Sequence, residues 1–372
     1  MYTNFLENIM NESKNRIKPL DQFLKVPKYI SGEHAIKGKV RATKLSANEN
    51  LNGPSDKVKN IYGSLQECLF EYPESDHLSL TQAISSVYNI DKEKIFCGAG
   101  SDEIIQLLCR CYCQVGDEVV YTEHGFLMYK ISAIAAGAKP VKADENRRVA
   151  SVNNILGRVS NKTRIVFLAN PNNPTGTMIS LDEIKRLRIK LSSNILLVLD
   201  GAYAEYIENY DGGLKLADEF DNIFLTRTFS KIYGLGGLRI GWGYGSRKIV
   251  NVLNTVRSPF NISSVGLKLA EVSILDKKFV VDQRELNKKN RDGLRKNLMA
   301  LGLEVDKSYA NFLLVRFLEK QQVIKADNFL KKNGIIARRV ESYGLPNALR
   351  LTIATTEICN RVHSLLKELL GK

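Results

Sequence analysis

The chain has 372 residues, 44% hydrophobic and 25% charged, with 26 glycines and 9 prolines. That composition excludes collagen-like, coiled-coil and largely disordered proteins and leaves room for two to three domains at roughly 150 residues each. The net charge of +14 is spread along the chain without zinc-finger spacing or an arginine-rich tail, so an anionic small substrate explains it at least as well as nucleic acid does.

Residues 1–45 read as an N-terminal arm, with one amphipathic stretch followed by Pro27, Gly32, Gly38 and several lysines. Glu7, Glu12 and Asp21, with no apolar core segment among them, argue against a secretory leader. Apolar runs such as Ile195 to Leu199 fall far short of the ~20 residues a spanning helix needs. The expectation is a cytoplasmic protein that engages no membrane. From about 94 to 245, short apolar runs recur at Lys94–Cys97, Glu118–Thr122, Lys139–Lys142, Arg164–Ala169, Ile195–Asp200, Asn222–Thr228 and Leu238–Tyr244, most of them separated by helical stretches. This alternation predicts βαβ units and a mainly parallel, doubly wound α/β sheet. After about 260 a long polar helix pattern precedes strand-like Phe312–Phe317, Ile335–Val340 and Leu349–Ile353 and a closing helix, which predicts a smaller α+β domain. The basic residues Lys288, Lys289, Arg291, Arg295 and Lys296 fall in that helix pattern and read as a solvated face.

Cys109-x-Cys111-x-Cys113 lacks the paired spacing and partner histidines of tetrahedral zinc. It lies in the apolar pattern Ile104-Ile105-Leu107-Leu108, so these thiols, like Cys68, Cys97 and Cys359, read as small buried hydrophobes in a reducing compartment. The histidines, at 34, 77, 124 and 363, do not cluster, and no metal site is expected.

Ligands of a doubly wound sheet bind beyond the carboxyl ends of its strands, and four such positions carry unusual chemistry. Gly98-Ala99-Gly100-Ser101-Asp102-Glu103 is a glycine turn opening a helix. The amides of Ser101 and Asp102 can cradle a phosphate there, although a plain turn with either residue as cap fits equally. Asn170-Pro171-Asn172-Asn173-Pro174-Thr175-Gly176 is a stiff loop presenting two amides. Asp200 closes a buried strand, where a carboxylate is costly unless paired or used as a helix cap, and Tyr203 follows it. Lys231 lies in Thr226-Arg227-Thr228-Phe229-Ser230-Lys231, ahead of a glycine-rich stretch holding Arg239. A lone lysine is usually a solvated charge, but hydroxyls and an arginine beside an amine suit a phosphorylated aldehyde. Asn173, Asp200 and Lys231 are spaced by 27 and 31 residues, about one βαβ repeat each, which puts all three on one sheet edge.

These motifs, with Leu45-Ser46-Ala47-Asn48-Glu49-Asn50, Tyr72-Pro73-Glu74 and Leu349-Arg350-Leu351-Thr352, resemble those of the class I/II, fold-type I aminotransferases, and among these the histidinol-phosphate branch. The resemblance implies a mostly parallel seven-stranded sheet in a large pyridoxal 5′-phosphate-binding domain (46–262), a smaller α+β domain (263–372), and the arm packed on the latter. It implies that Lys231 bonds to the cofactor aldehyde and shuttles the substrate proton. Asp200 is implied to pair with the pyridine nitrogen, Tyr203 and Asn173 with the 3′ oxygen, and Phe126 to stack on the ring. Thr228, Ser230, Arg239, Ser101 and Asp102 are implied to hold the phosphate, joined by Tyr72 from the partner subunit of a homodimer. Asn48, Arg338 and Arg350 are implied at the substrate, Arg350 gripping the carboxylate of glutamate or 2-oxoglutarate or the phosphate of histidinol phosphate; for either late arginine, a surface salt bridge is the plainer role. Two places depart from the family pattern: Thr122-Glu123-His124-Gly125 precedes Phe126, and Gly201 follows Asp200. An aromatic amino-acid aminotransferase, or a related decarboxylase of the same fold, shares most of these features.

Overall fold

Runs such as Ile165-Val166-Phe167-Leu168 and Leu196-Leu197-Val198-Leu199 are apolar on both faces and buried throughout, as parallel strands covered by helices on both sides must be. The computed structural model describes residues 17–36 and 42–372, the side chain of Cys68 apart. Glu7, Glu12, Gly38 and part of the amphipathic stretch lie outside the described residues. The strands are β1 (Thr43–Lys44), β2 (Ile95–Gly98), β3 (Glu118–Thr122), β4 (Lys139–Ala143), β5 (Thr163–Ala169), β6 (Leu196–Asp200), β7 (Ile223–Thr228) and β8 (Gly241–Gly245). Later in the chain come β9 (Glu304–Val305), β10 (Phe312–Arg316), β11 (Ile335–Ile336), β12 (Arg338–Val340) and β13 (Leu345–Thr352).

The large sheet has seven strands in the order β2-β8-β7-β6-β5-β3-β4. β8 runs antiparallel to both its neighbours, and the remaining pairs are parallel. Ala169 pairs with Asp200 and Asp200 with Thr226, so the carboxyl ends of β5, β6 and β7 lie side by side. β8 starts at Gly241, later than the Leu238 expected from hydropathy, because Gly236–Leu238 forms a 3-10 turn and Arg239 adopts a left-handed φ of 55°. The expected strand Ile335–Val340 is two: β11 pairs with β1 and β12 with β13.

The second lobe is an antiparallel sheet, β12-β13-β10-β9, whose core of Leu313, Val315, Leu349 and Leu351 is covered by the helices Lys320–Lys332 and Thr356–Leu369. Leu45 joins that core, and Glu33 and Ile30 are tied to Lys331 and Arg338 at 2.6 and 2.7 Å. The helix Ser264–Leu275 instead sends Leu267, Leu269, Ala270 and Ile274 into the core of the large sheet. The next helix, Lys277–Ala300, touches the large core through Val280 and the small core through Leu294 and Leu298. We therefore place the division between the lobes within that helix, later than residue 263. On its surface Lys288, Lys289 and Lys296 are exposed, but Arg291 is buried and donates to the Ala310 carbonyl at 3.2 Å, and Arg295 is half-buried with its Nε on the Val305 and Asp306 carbonyls at 3.0 and 3.2 Å, so neither arginine belongs to a solvated face.

Cys97, Cys109 and Cys359 are buried free thiols, and Cys111 and Cys113 lie half-buried against the same core as Cys109; burial pushes the Cys97 and Cys113 thiols up to about 12. Among the described residues no helix is long and apolar enough to cross a membrane.

Beneath the sheet edge, Arg227 of β7 is fully buried. Its Nη1 donates to Glu205 Oε1 at 2.9 Å and its Nη2 to the Asp211 carbonyl at 2.6 Å. A Cβ at Gly201 would sit 3.0 Å from Arg227 Nε, a tight contact, and one at Gly212 would run into Nη2, so the guanidinium packs closely beneath the residue after Asp200. Removing one partner of a buried ion pair strands the other charge, at a cost of about 3–5 kcal/mol. Glu205→Ala is expected to lower unfolding stability in urea by about that amount, whereas Asp282→Ala, which breaks an exposed pair with Lys278, leaves the midpoint where it was.

Candidate active site

A cavity of about 450 Å³ opens at the carboxyl ends of β5, β6 and β7, between the lobes. Asn48, Ser101, Asp102, Phe126, Asn173, Asp200, Tyr203, Thr228, Ser230, Lys231, Arg239, Arg338 and Arg350 all line it. Tyr72 does not: it is 82% exposed on the outer surface and stacks on Phe260 with ring centroids 4.7 Å apart.

Asp200 ends β6 with its side chain buried. Oδ2 accepts from the Tyr129 hydroxyl at 2.7 Å and Oδ1 from the Ala202 amide at 3.1 Å. Both donors are neutral, and burial holds the carboxyl above its ordinary range in spite of them. Tyr129, which motif reading did not single out, lies flat on Phe167 at 4.6 Å and meets Phe126 edge-on at 5.9 Å. Its position three residues after Phe126, on the sheet-facing side of the helix Leu127–Ala135, was the available signal. Lys231 follows β7 and is half-buried; Nζ lies 3.4 Å from the Ala47 carbonyl and 5.7 Å from the Tyr203 ring centroid. Burial, helped by the Arg350 charge, lowers its ammonium to about 8.

On one flank lies an anion cradle. Thr228 Oγ1 donates to Ser230 Oγ at 2.9 Å, and Arg239 Nη1 reaches the same Ser230 oxygen at 3.2 Å. Arg239 Nη2 meets Asp102 Oδ2 at 3.2 Å, at the start of the helix Ser101–Tyr112, whose first amides have no carbonyl partner within the helix. Gly100 has φ +83°, and a Cβ there would come within 2.5 Å of Arg239 Nη2; the glycine keeps this space open. Glu103 serves as a structural brace, accepting from the Ala99 amide and from Asn261 Nδ2.

On the other flank, Arg350 of β13 donates from Nη1 to Asn173 Oδ1 at 2.5 Å and from Nη2 to the Ser46 carbonyl at 2.7 Å, over the Phe312 ring. Its Nε is buried with no partner among the described residues. Arg338 stands directly opposite Arg350 in the β12–β13 register, an arrangement that like charges disfavour unless an anion lies between them. The bond to Arg350 orients the Asn173 amide, leaving its Nδ2 donors toward the cavity. Asn48, held by its backbone amide on Thr352 Oγ1 at 3.0 Å, donates from Nδ2 to the Tyr203 hydroxyl at 2.9 Å. One of its two Nδ2 hydrogens is thus committed to Tyr203, and Asn48 itself lines the cavity. Burial raises the Tyr203 phenol to about 12 against the pull of Arg350. Tyr29, Ser31 and His34 of the N-terminal segment also line the cavity; no sequence periodicity marked them.

The family model for aminotransferase class I and II matches residues 40–363. A histidinol-phosphate aminotransferase of Ruegeria sp. is 47% identical over 353 residues, covering 95% of this chain and 98% of the relative. One from Dinoroseobacter shibae is 48% identical over 344 residues, covering 92% and 95%. In structure, the Sinorhizobium meliloti histidinol-phosphate aminotransferase in complex with pyridoxal-5′-phosphate superposes with a TM-score of 0.89 at 22% identity, over 97% of this chain and 99% of the other. An aspartate aminotransferase double mutant of Thermus thermophilus gives 0.77 at 19%, over 89% and 92%.

The lysine carries its own test. Below about pH 8 the Lys231 amine is protonated and unreactive, and above it the amine is free. In the cofactor-free protein, acylation of Lys231 followed by peptide mass mapping is expected to rise through a midpoint near pH 8. Arg350→Gln removes a neighbouring positive charge and is expected to move that midpoint upward; a wild-type midpoint near 10.5 contradicts this account of the site.

Proposed function

The chain belongs to the class I and II aminotransferases, and from that premise we propose that it transfers the amino group of L-histidinol phosphate to 2-oxoglutarate, yielding imidazole-acetol phosphate and L-glutamate, a step of histidine biosynthesis. The names of relatives 47% and 48% identical over nearly the whole chain support the substrate. The observation that carries the reading is the pair of anion sites on either side of one lysine. The Thr228–Ser230–Arg239 cradle suits the phosphate of a cofactor, and the paired arginines at 338 and 350 suit the anionic end of a substrate.

The residues present fit pyridoxal 5′-phosphate. Gly100 keeps clear the space that the phosphate cradle needs, and Asp200 is a buried carboxylate with only neutral donors, suited to a protonated ring nitrogen. When bound, the cofactor supplies an electron sink for the substrate carbon. Asp200 keeps the ring nitrogen protonated, and Tyr129 fixes the orientation of that carboxylate. Tyr203 and the Nδ2 of Asn173 would donate to the 3′ oxygen of the bound ring, and Phe126, which lines the same cavity, would stack on it. Lys231, whose ammonium is lowered to about 8 so that about half of the amine is free at that pH, takes the proton from the substrate carbon and returns it on the other side of the transfer. Arg350, with Arg338, holds the phosphate of histidinol phosphate and the carboxylate of the keto acid in turn.

The reading includes a homodimer. Leu69, Phe70 and Tyr72 are exposed to 69%, 85% and 82% on one stretch of surface, an apolar display that a second copy would cover while bringing Tyr72 to the neighbouring cradle. Free buried thiols suit the reducing cytoplasm.

Two outcomes follow. Steady-state kinetics are expected to give a kcat/KM for histidinol phosphate at least roughly a hundredfold above those for phenylalanine and tyrosine, a margin of a few kcal/mol that a gripped anion can supply; faster turnover of the aromatics contradicts the substrate. Mixing Tyr72→Ala with Lys231→Ala subunits is expected to restore activity, since one site of each heterodimer keeps both residues. Inactive heterodimers of verified composition contradict the shared site.

A further inference from the structure

The turn Thr122-Glu123-His124-Gly125, just ahead of Phe126, has so far been assigned nothing. It is tight: the Gly125 amide closes on the Thr122 carbonyl at 2.8 Å, and a Cβ at Gly125 would lie 2.9 Å from that same oxygen. His124 is 7% exposed, and its Nδ1 lies 2.8 Å from the carbonyl oxygen of Tyr343. A carbonyl only accepts, so Nδ1 carries the proton and donates.

This bond crosses from one lobe to the other. His124 follows β3 of the large sheet, whereas Tyr343 ends the short turn Glu341–Tyr343 between β12 and β13, the strands that carry Arg338 and Arg350. Leu127 packs alongside, against the cluster of Tyr343, Val340 and Leu345. The Tyr343 phenol is buried with the Arg350 and Arg338 charges beside it. Behind the turn, Glu145 Oε1 accepts from the His124 amide at 3.3 Å and from Asn172 Nδ2 at 3.4 Å, so the same turn braces the loop that presents Asn173. One imidazole thus links the ring-stacking turn to the strand pair of the two arginines.

We propose that His124 is a positioning residue for the anionic substrate: its Nδ1–H pins the Glu341–Tyr343 turn to the Phe126 loop and thereby sets where Arg338 and Arg350 stand relative to the ring stack. The proposal rests on the reading of those arginines as the substrate grip. Losing the bond leaves a buried carbonyl unsatisfied and lets the turn drift, which weakens anion binding while leaving Lys231 and Asp200 in place.

Three variants of the cofactor-loaded enzyme test this. His124→Asn puts an amide nitrogen where Nδ1 stood, His124→Gln moves the donor out to the place of Nε2, and His124→Phe keeps a ring without a donor. For the Gln and Phe variants, the KM for histidinol phosphate and the calorimetric Kd for 2-oxoglutarate are expected to rise roughly tenfold, the size of one hydrogen bond, with kcat within about twofold and the cofactor absorbance spectrum unchanged. The Asn variant is expected to recover most of the lost affinity. Unchanged KM and Kd in all three variants overturn the proposal, as does a loss of kcat and melting temperature with affinity intact, which is the mark of a merely structural imidazole. A wild-type enzyme that ignores histidinol phosphate overturns the substrate reading instead, and the 2-oxoglutarate titration still decides the role of His124.

Discussion

A carboxylate sealed at the end of a buried strand is the constraint around which this site is arranged. Every residue of β6 is buried, Asp200 included. Among the described residues the carboxylate meets neutral donors, chiefly the Tyr129 phenol and the Ala202 amide, and these do not replace the water that its charge has lost. Burial acts on Lys231 in the opposite chemical sense, releasing its proton more easily. Desolvation therefore pushes both groups toward neutrality. In the proposed reading a ring cation held against the acid would restore its charge while leaving the amine free to move protons, so the use proposed for each group answers the energetic awkwardness of its place.

The flanking anion sites follow from how the two sheets meet. The cradle draws on the ends of β7 and β8 and on a helix start, and it exists because Gly100 and Gly241 carry no side chain: a Cβ at Gly241 would lie 2.6 Å from the Ser101 nitrogen. The opposing arginines belong to the small lobe, yet Arg350 is anchored on Asn173 of the large lobe and on the Ser46 carbonyl. The arginine proposed as the substrate grip and the asparagine proposed for the ring are thus fastened to each other across the lobe boundary. Any shift of one lobe against the other changes both, and His124 on the Tyr343 carbonyl is one of several direct ties between the lobes, with Arg148 on Asp306 and the Tyr309 amide on the Gly176 carbonyl.

Much of this was legible in the sequence for a geometric reason. Asn173, Asp200 and Lys231 recur at about the length of a βαβ repeat, and parallel topology turns that spacing into adjacency, as the Ala169, Asp200 and Thr226 pairings show. Other parts had no local signature. Tyr129 looks like one more apolar-face residue of a core helix until the Asp200 hydrogen bond is seen. Tyr29, Ser31 and His34 reach the cavity from an irregular segment with no periodicity. The helix Ser264–Leu275 has apolar residues that either core could have taken, and only tertiary packing assigns them to the large sheet. Arg291 and Arg295 sit in a run of basic residues and are set apart by the backbone carbonyls they find, of Ala310 for the first and of Val305 and Asp306 for the second. Gly201, odd for its family, has the buried Arg227 guanidinium packed closely against it, 3.0 Å from where a Cβ would stand.

The protonation state of the bound ring reports most directly on the central constraint. Nitrogen-15 NMR of the protein reconstituted with ring-labelled pyridoxal 5′-phosphate should show a protonated pyridine nitrogen at pH 8 in the wild type and a deprotonated one in Asp200→Ala. A nitrogen already unprotonated in the wild type, or one indifferent to the substitution, would contradict the claim that this buried acid exists to hold that cation.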